Sequence, residues 1–177
     1  MRNRRWKTVL YYWYPVLVWV GIIALESFAG SAERTAGILL PLLTWLFGHI
    51  PAPVFAIVHF AVRKFGHFIG YFILSGLLFR AFLGTFPHPV VRIGKNGPVI
   101  LERTWRLRWA AMAIVGTFAV AALDELHQSF VPGRTGTWRD VVLDTCAGVV
   151  AQQLILTATS FVPQWKKIPI PGVTKPN

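Results

Sequence analysis

The chain has 177 residues, enough for one domain and too few for two ordinary ones. Hydrophobic residues make up 54% and charged residues 14%, which excludes a disordered chain, and the single cysteine, Cys146, excludes a disulfide scaffold. A net charge of +11 would suit a nucleic-acid binder, but a mean hydropathy of +0.52 makes this a membrane composition with no nucleic-acid partner.

A spanning helix needs about 20 mostly apolar residues to cross ~30 Å of hydrocarbon. The run 8–25 is uncharged and bracketed by Lys7 and Glu26. Trp6, Tyr11, Tyr12, Trp13 and Tyr14 crowd its start as an interfacial aromatic belt would, and Pro15 falls near that end. A cleaved signal peptide is the rival reading, with Arg2, Arg4 and Arg5 as its basic region and Gly30-Ser31-Ala32 as a cleavage site. The run is long and aromatic for that. Residues 36–62 are also uncharged, but Pro41, Pro51 and Pro53 interrupt them, and 37–47 reads as a short re-entrant or interfacial helix. A second span runs from about 54 to 83, with Arg63, Lys64 and His67 in its outer turns. Residues 84–108 form a basic loop with two turn signals, Pro87-His88-Pro89 and Asn96-Gly97-Pro98. A third span covers about 105–128, and a Pro132-Gly133 loop follows. The fourth covers about 140–162, before Lys166, Lys167 and a Pro-rich tail. The expectation is one all-α domain. It is a polytopic membrane bundle of about four transmembrane helices plus one short re-entrant or interfacial helix, with its core at about 8–162.

The charges orient it. The N-terminus, the 84–108 loop with Arg80, and the C-terminus hold thirteen basic residues and the single acid Glu102, a balance of +12. The other side holds Arg34, Arg63, Lys64, Arg134 and Arg139 with six acids, a balance of −1. Such asymmetry places both termini in the cytoplasm. It also accounts for the high charge without nucleic acid.

Six of the seven acids thus gather on one side, several of them inside helical runs. Ionisable groups near hydrocarbon are costly unless paired or facing a polar cavity, so they are functional candidates. Lys64, His67 and Tyr71 fall at i, i+3 and i+7 on one helical stripe. Asp124, His127 and Gln128 share another, beside Glu125. Asp140 and Asp144 begin a third, continued by Ala147, Gly148 and Ala151, small residues that let helices approach closely. Arg63, Lys64 and Arg134 are the available counter-charges. The plain alternatives stand beside this. His67 can be a packed residue bonded to a neighbour, the acids interfacial charges or bundle locks, Pro132-Gly133 a turn capped by Arg134, and Cys146 a small buried residue. His49, His59 and His88 lack metal-ligand spacing, and most Trp and Tyr residues read as interface anchors.

Arg63-Lys64-Phe65-Gly66-His67-Phe68 with Tyr71 resembles the first motif of the VanZ-like membrane protein family. The run Asp124-Glu125-Leu126-His127-Gln128-Ser129-Phe130-Val131-Pro132-Gly133-Arg134, then Asp140 and Gly148, resembles its second. Glu26-Ser27 and Trp45 lie in a region of weaker similarity. The two blocks, roughly 54–83 and 120–154, cover more than a third of the chain. One departure stands out: the family usually has Asn where this chain has Asp144, four residues after Asp140. The resemblance implies a bacterial cytoplasmic-membrane protein linked to resistance against glycopeptide antibiotics, chiefly lipid-tailed teicoplanin. Its partners would be membrane lipid and a lipoglycopeptide or lipid-linked cell-wall component.

The chemistry stays open between binding and catalysis. A divalent ion can be sketched onto Glu125, His127, Asp140 and Asp144, but no H-E-x-x-H, paired cysteines or Asp-rich loop supports it, so neither metal nor cofactor is expected. No nucleophile-elbow or phosphate-loop signature is present. A general acid–base pair such as His67 with Glu125, and an anion held by Arg63, Lys64 and Arg134, would suit an enzyme on a lipid-linked envelope substrate. A small transporter is the third reading, although four helices without a repeat are few for one.

Overall fold

The computed structural model describes residues 2–29, 32–86, 90–94, 97–103, 106–131, 136–161 and 165–169. Five helices follow in order: α1 (Arg2–Ala29), α2 (Ala32–Phe47), α3 (Ala52–Thr85), α4 (Leu107–Ser129) and α5 (Trp138–Ser160). Of these, α1, α3, α4 and α5 are long and apolar enough to cross a membrane. The outward faces carry the residues that lipid solvates, among them Leu17, Ile57, Phe65, Val115, Leu123 and Leu154. The expected helical membrane bundle is therefore the architecture.

The central element is α3, which packs against α1, α4 and α5. It runs antiparallel to α4, because Tyr71 meets Asp124 near one end and Phe82 stacks on Trp109 near the other. It runs parallel to α5, with a nearly constant offset of 76 residues at Lys64–Asp140 and 77 at Ser75–Gln152. Close approach depends on small side chains: Ala113, Ala121, Ala147 and Ala151 are buried between the helices. At Gly148 an added Cβ would come within 3.0 Å of the Thr117 methyl, so this position holds the α4–α5 spacing. The far end is closed by Leu78, Phe79, Ala110, Trp109 and Phe82. There α1 is fastened by Trp13 Nε1, which donates to Thr85 Oγ1 at 3.0 Å, while Arg80 lies over the rings of Tyr11 and Tyr12.

Several local expectations need correcting. Pro15 lies well inside α1 rather than near its end, and Pro41 does not interrupt α2. The break between α2 and α3 comes instead at Gly48, whose φ of 77° only glycine adopts readily, and at Pro51, which precedes the first turn of α3. Hence α2 is 16 residues long, starting before the 37–47 segment. At 34 residues α3 is about 51 Å long, so Arg63, Lys64 and His67 sit well inside it rather than in its outer turns. Cys146 is exposed, not buried. Trp109 is buried and Trp13 and Trp19 are bonded across helices, so these tryptophans pack the bundle.

The 84–108 segment is also more than a loop. It contains β1 (Val90–Gly94) and β2 (Gly97–Arg103), an antiparallel hairpin paired Gly94 to Gly97, and the tail adds β3 (Trp165–Pro169) against β2. Asn96, in the expected turn signal, and Arg134 lie outside the described residues.

Candidate functional site

The antiparallel α3–α4 and parallel α3–α5 packing brings the three polar stripes to one end of the bundle. They meet as a ladder of cross-helix contacts. The first rung is an ion pair between Lys64 Nζ and Asp140 Oδ1, about a quarter exposed, at 31% and 21% for the two side chains. One turn deeper, His67 Nδ1 faces Asp144 Oδ2 at 3.6 Å, and Asp144 is completely buried. On the α4 side of α3, the Tyr71 hydroxyl donates to Asp124 Oδ2 at 3.0 Å, and Gln128 Nε2 donates to the same oxygen at 3.0 Å. The deepest rung joins Ser75 and Gln152: the amide donates to the Ser75 carbonyl and hydroxyl oxygens, and the Ser75 hydroxyl donates to the Gly148 carbonyl. Below it the apolar layer begins.

Glu125 takes a different partner. Its Oε2 accepts from the backbone N–H of Thr137 at 2.7 Å, while its buried Oε1 has no hydrogen bond. Thr137 is the N-cap of α5, its hydroxyl accepting from the Asp140 N–H. The preceding Gly136 runs so close to the α4 terminus that a Cβ there would collide with the Glu125 carbonyl oxygen. Glu125 thus ties the loop to the helix start that presents Asp140 and Asp144.

Beside the ladder, α1 and α3 enclose a cleft of about 430 Å³, a volume within the range of small-ligand sites. Trp19, Ile22, Ile23, Val62 and Ile69 form apolar walls; Glu26, Arg63, His67, Tyr71 and Asp124 supply its polar lining. Trp19 Nε1 donates to the Gly70 carbonyl at 2.8 Å and fixes the gap between the two helices. Gly66 and Gly70 line it too, and a Cβ at either would meet nothing within 4 Å. The helix read alternatively as a signal peptide is therefore a wall of this cleft.

Measured against the sequence, Lys64, His67, Tyr71, Asp124, Gln128, Asp140 and Asp144 converge, and Arg63 lines the adjoining cleft. His127 is exposed on another face of α4. That breaks the sketched metal set, and among the described residues no three His, Cys, Asp or Glu side chains converge to hold an ion. The partner of His67 is Asp144, not Glu125. Ser75 and Gln152 were missed, although they continue the stripes Tyr71–Ser75 and Asp140–Asp144–Gly148–Gln152 at i+4. Trp19, Glu26 and Ser27 were missed as cleft residues because nothing in α1 fixes which face meets α3.

A family profile described as VanZ/LLP1 matches residues 12–159. No curated protein and no solved structure matches the chain.

Proposed function

This chain belongs to the VanZ/LLP1 family, and from that premise we propose that its polar cleft binds a lipid-anchored amphiphile of the bacterial envelope and thereby raises resistance to teicoplanin-class glycopeptides. The observation that carries the reading is the cleft's own make-up. Apolar walls from α1 and α3 meet Arg63, His67, Tyr71 and Asp124, which suits a ligand with a tail and a polar head. The basic side, with both termini, faces the cytoplasm of a multi-pass protein in the cytoplasmic membrane, and the ladder faces outward. Dense apolar packing below Ser75 and Gln152 favours a site that ends within the bundle over a through-pathway for transport.

The test is phenotypic. The chain expressed in a glycopeptide-sensitive Gram-positive host should raise the inhibitory concentration of teicoplanin more than that of vancomycin. Glu125→Ala and Asp124→Asn, at equal membrane abundance, should lose that gain. No gain despite correct insertion would overturn the assignment, with Asp144→Asn as the variant to examine for redirected ligand charge.

One observation favours a second reading, an enzyme on a lipid-linked envelope substrate. His67 lines the cleft while its Nδ1 is turned to buried Asp144, the way a general base is oriented by a carboxylate. Turnover of a lipid-linked phosphate by the purified protein, lost in His67→Gln, would establish it.

A further inference from the structure

We infer that the head of the cleft's ligand carries a primary amine beside an anionic group, as in an aminophospholipid; this rests on the cleft being an amphiphile site. Three observations converge on that chemistry.

The first is the charge around the head end. Asp124, Glu125, Asp140 and Asp144 crowd one end of the bundle against Lys64 and His67. Lys64 is already engaged with Asp140. On the cleft's own lining Glu26 and Asp124 set two carboxylates against the one guanidinium of Arg63, so this low-dielectric end attracts a cation.

The second is the acceptor geometry of Asp124. Both protein donors, Tyr71 and Gln128, end on Oδ2. A carboxylate accepts at two oxygens with about four lone-pair sites, so Oδ1 retains its capacity while the residue lines the cleft at 8% exposure. An ammonium donating there forms a charge-assisted bond in a site that water barely reaches. Arg63, on the same lining, offers a planar fork suited to a phosphate.

The third is the unfilled notch at Gly66 and Gly70. In a membrane bundle, glycines four apart usually admit a neighbouring helix. Here nothing beyond the local backbone of α3 lies within 4 Å of either missing Cβ, and Trp19, Ile22, Ile23 and Ile69 flank the gap. An acyl chain occupies such a groove, leading from the head end toward the bilayer.

The experiment reads which lipid the protein keeps. The full chain is placed in nanodiscs of equal phosphatidylethanolamine and phosphatidylglycerol and released into native mass spectrometry. Phosphatidylethanolamine should be retained over phosphatidylglycerol by about tenfold, the preference that one charge-assisted hydrogen bond confers. N-acetylated phosphatidylethanolamine, which keeps the phosphate and lacks the cation, should lose that preference with the unaltered protein. Asp124→Asn should bring it to parity while a lipid of either kind is still held. Gly66→Leu with Gly70→Leu should abolish retention. Equal retention of both lipids by the wild-type chain, or a phosphatidylglycerol preference, would overturn the amine while leaving the amphiphile site standing. No retained lipid of any class would overturn both.

Discussion

Asp144 is completely buried with its Oδ2 3.6 Å from Nδ1 of His67, so one side chain of α5 and one of α3 face each other as polar partners inside the bundle. Neither Asp144 oxygen has a hydrogen bond closer than this contact. His67→Ala would leave the carboxylate uncompensated, a loss of about 3–5 kcal/mol. Adding Asp144→Asn replaces that carboxylate with a neutral amide. Thermal unfolding in detergent should therefore show the double variant more stable than His67→Ala alone. A double variant as unstable as the sum of the singles would mean the two residues are uncoupled.

The Lys64–Asp140 pair sits at the rim of the ladder and is partly exposed. Lys64→Ala and Asp140→Ala should each cost about 1.5–3 kcal/mol, the range for a hydrogen bond to a charged group. Exchanging the charges, Lys64→Asp with Asp140→Lys, should recover part of the loss in the same unfolding assay. A swap no better than either single variant would count against the pair.

Gly148 and Thr117 set the α4–α5 spacing. Gly148→Ala pushes a methyl against Thr117 Cγ2, an overpacking that costs about 1–3 kcal/mol. Thr117→Ser removes that methyl and keeps the hydroxyl that donates to the Ala113 carbonyl. Combined with Gly148→Ala it should restore the melting temperature. Gly148→Ala with wild-type stability would show that α4 and α5 have room to separate.

Much of this was legible because membrane helices declare themselves by length and apolar content, and because polar residues inside them fall on stripes. Lys64, His67, Tyr71, Asp140 and Asp144 were placed by i+3, i+4 and i+7 spacing alone. What spacing cannot give is the rotation of one helix against another. It left His67 matched to Glu125 when the helices pair it with Asp144, and it left the α1 contribution of Trp19 and Glu26 unseen. The hairpin was readable and overlooked: Val90, Val91, Ile93, Val99 and Ile100 are β-branched residues flanking a glycine turn, within a segment treated as a loop for its charge.

Orientation is checked independently of any ligand. In a Cys146→Ser background, Phe130→Cys and Trp138→Cys occupy exposed positions at the ladder end, and Arg108→Cys lies at the opposite end. An impermeant maleimide applied to intact cells should label the first two and spare the third. Labelling of Arg108→Cys instead would turn the ladder toward the cytoplasm and remove the envelope ligand from its reach.

The most direct test of the cleft is to fill it without touching the ladder. Leucine at Gly66 and Gly70 enters open space and favours the helix over glycine, so the protein should fold at least as well. Gly21→Leu, also in open space but absent from the cleft lining, is the control. The quantity measured is the rise in teicoplanin inhibitory concentration over the vancomycin rise, at matched abundance. The account predicts that the double leucine variant loses it while Gly21→Leu keeps it. Undiminished teicoplanin protection with the cleft filled would contradict the account.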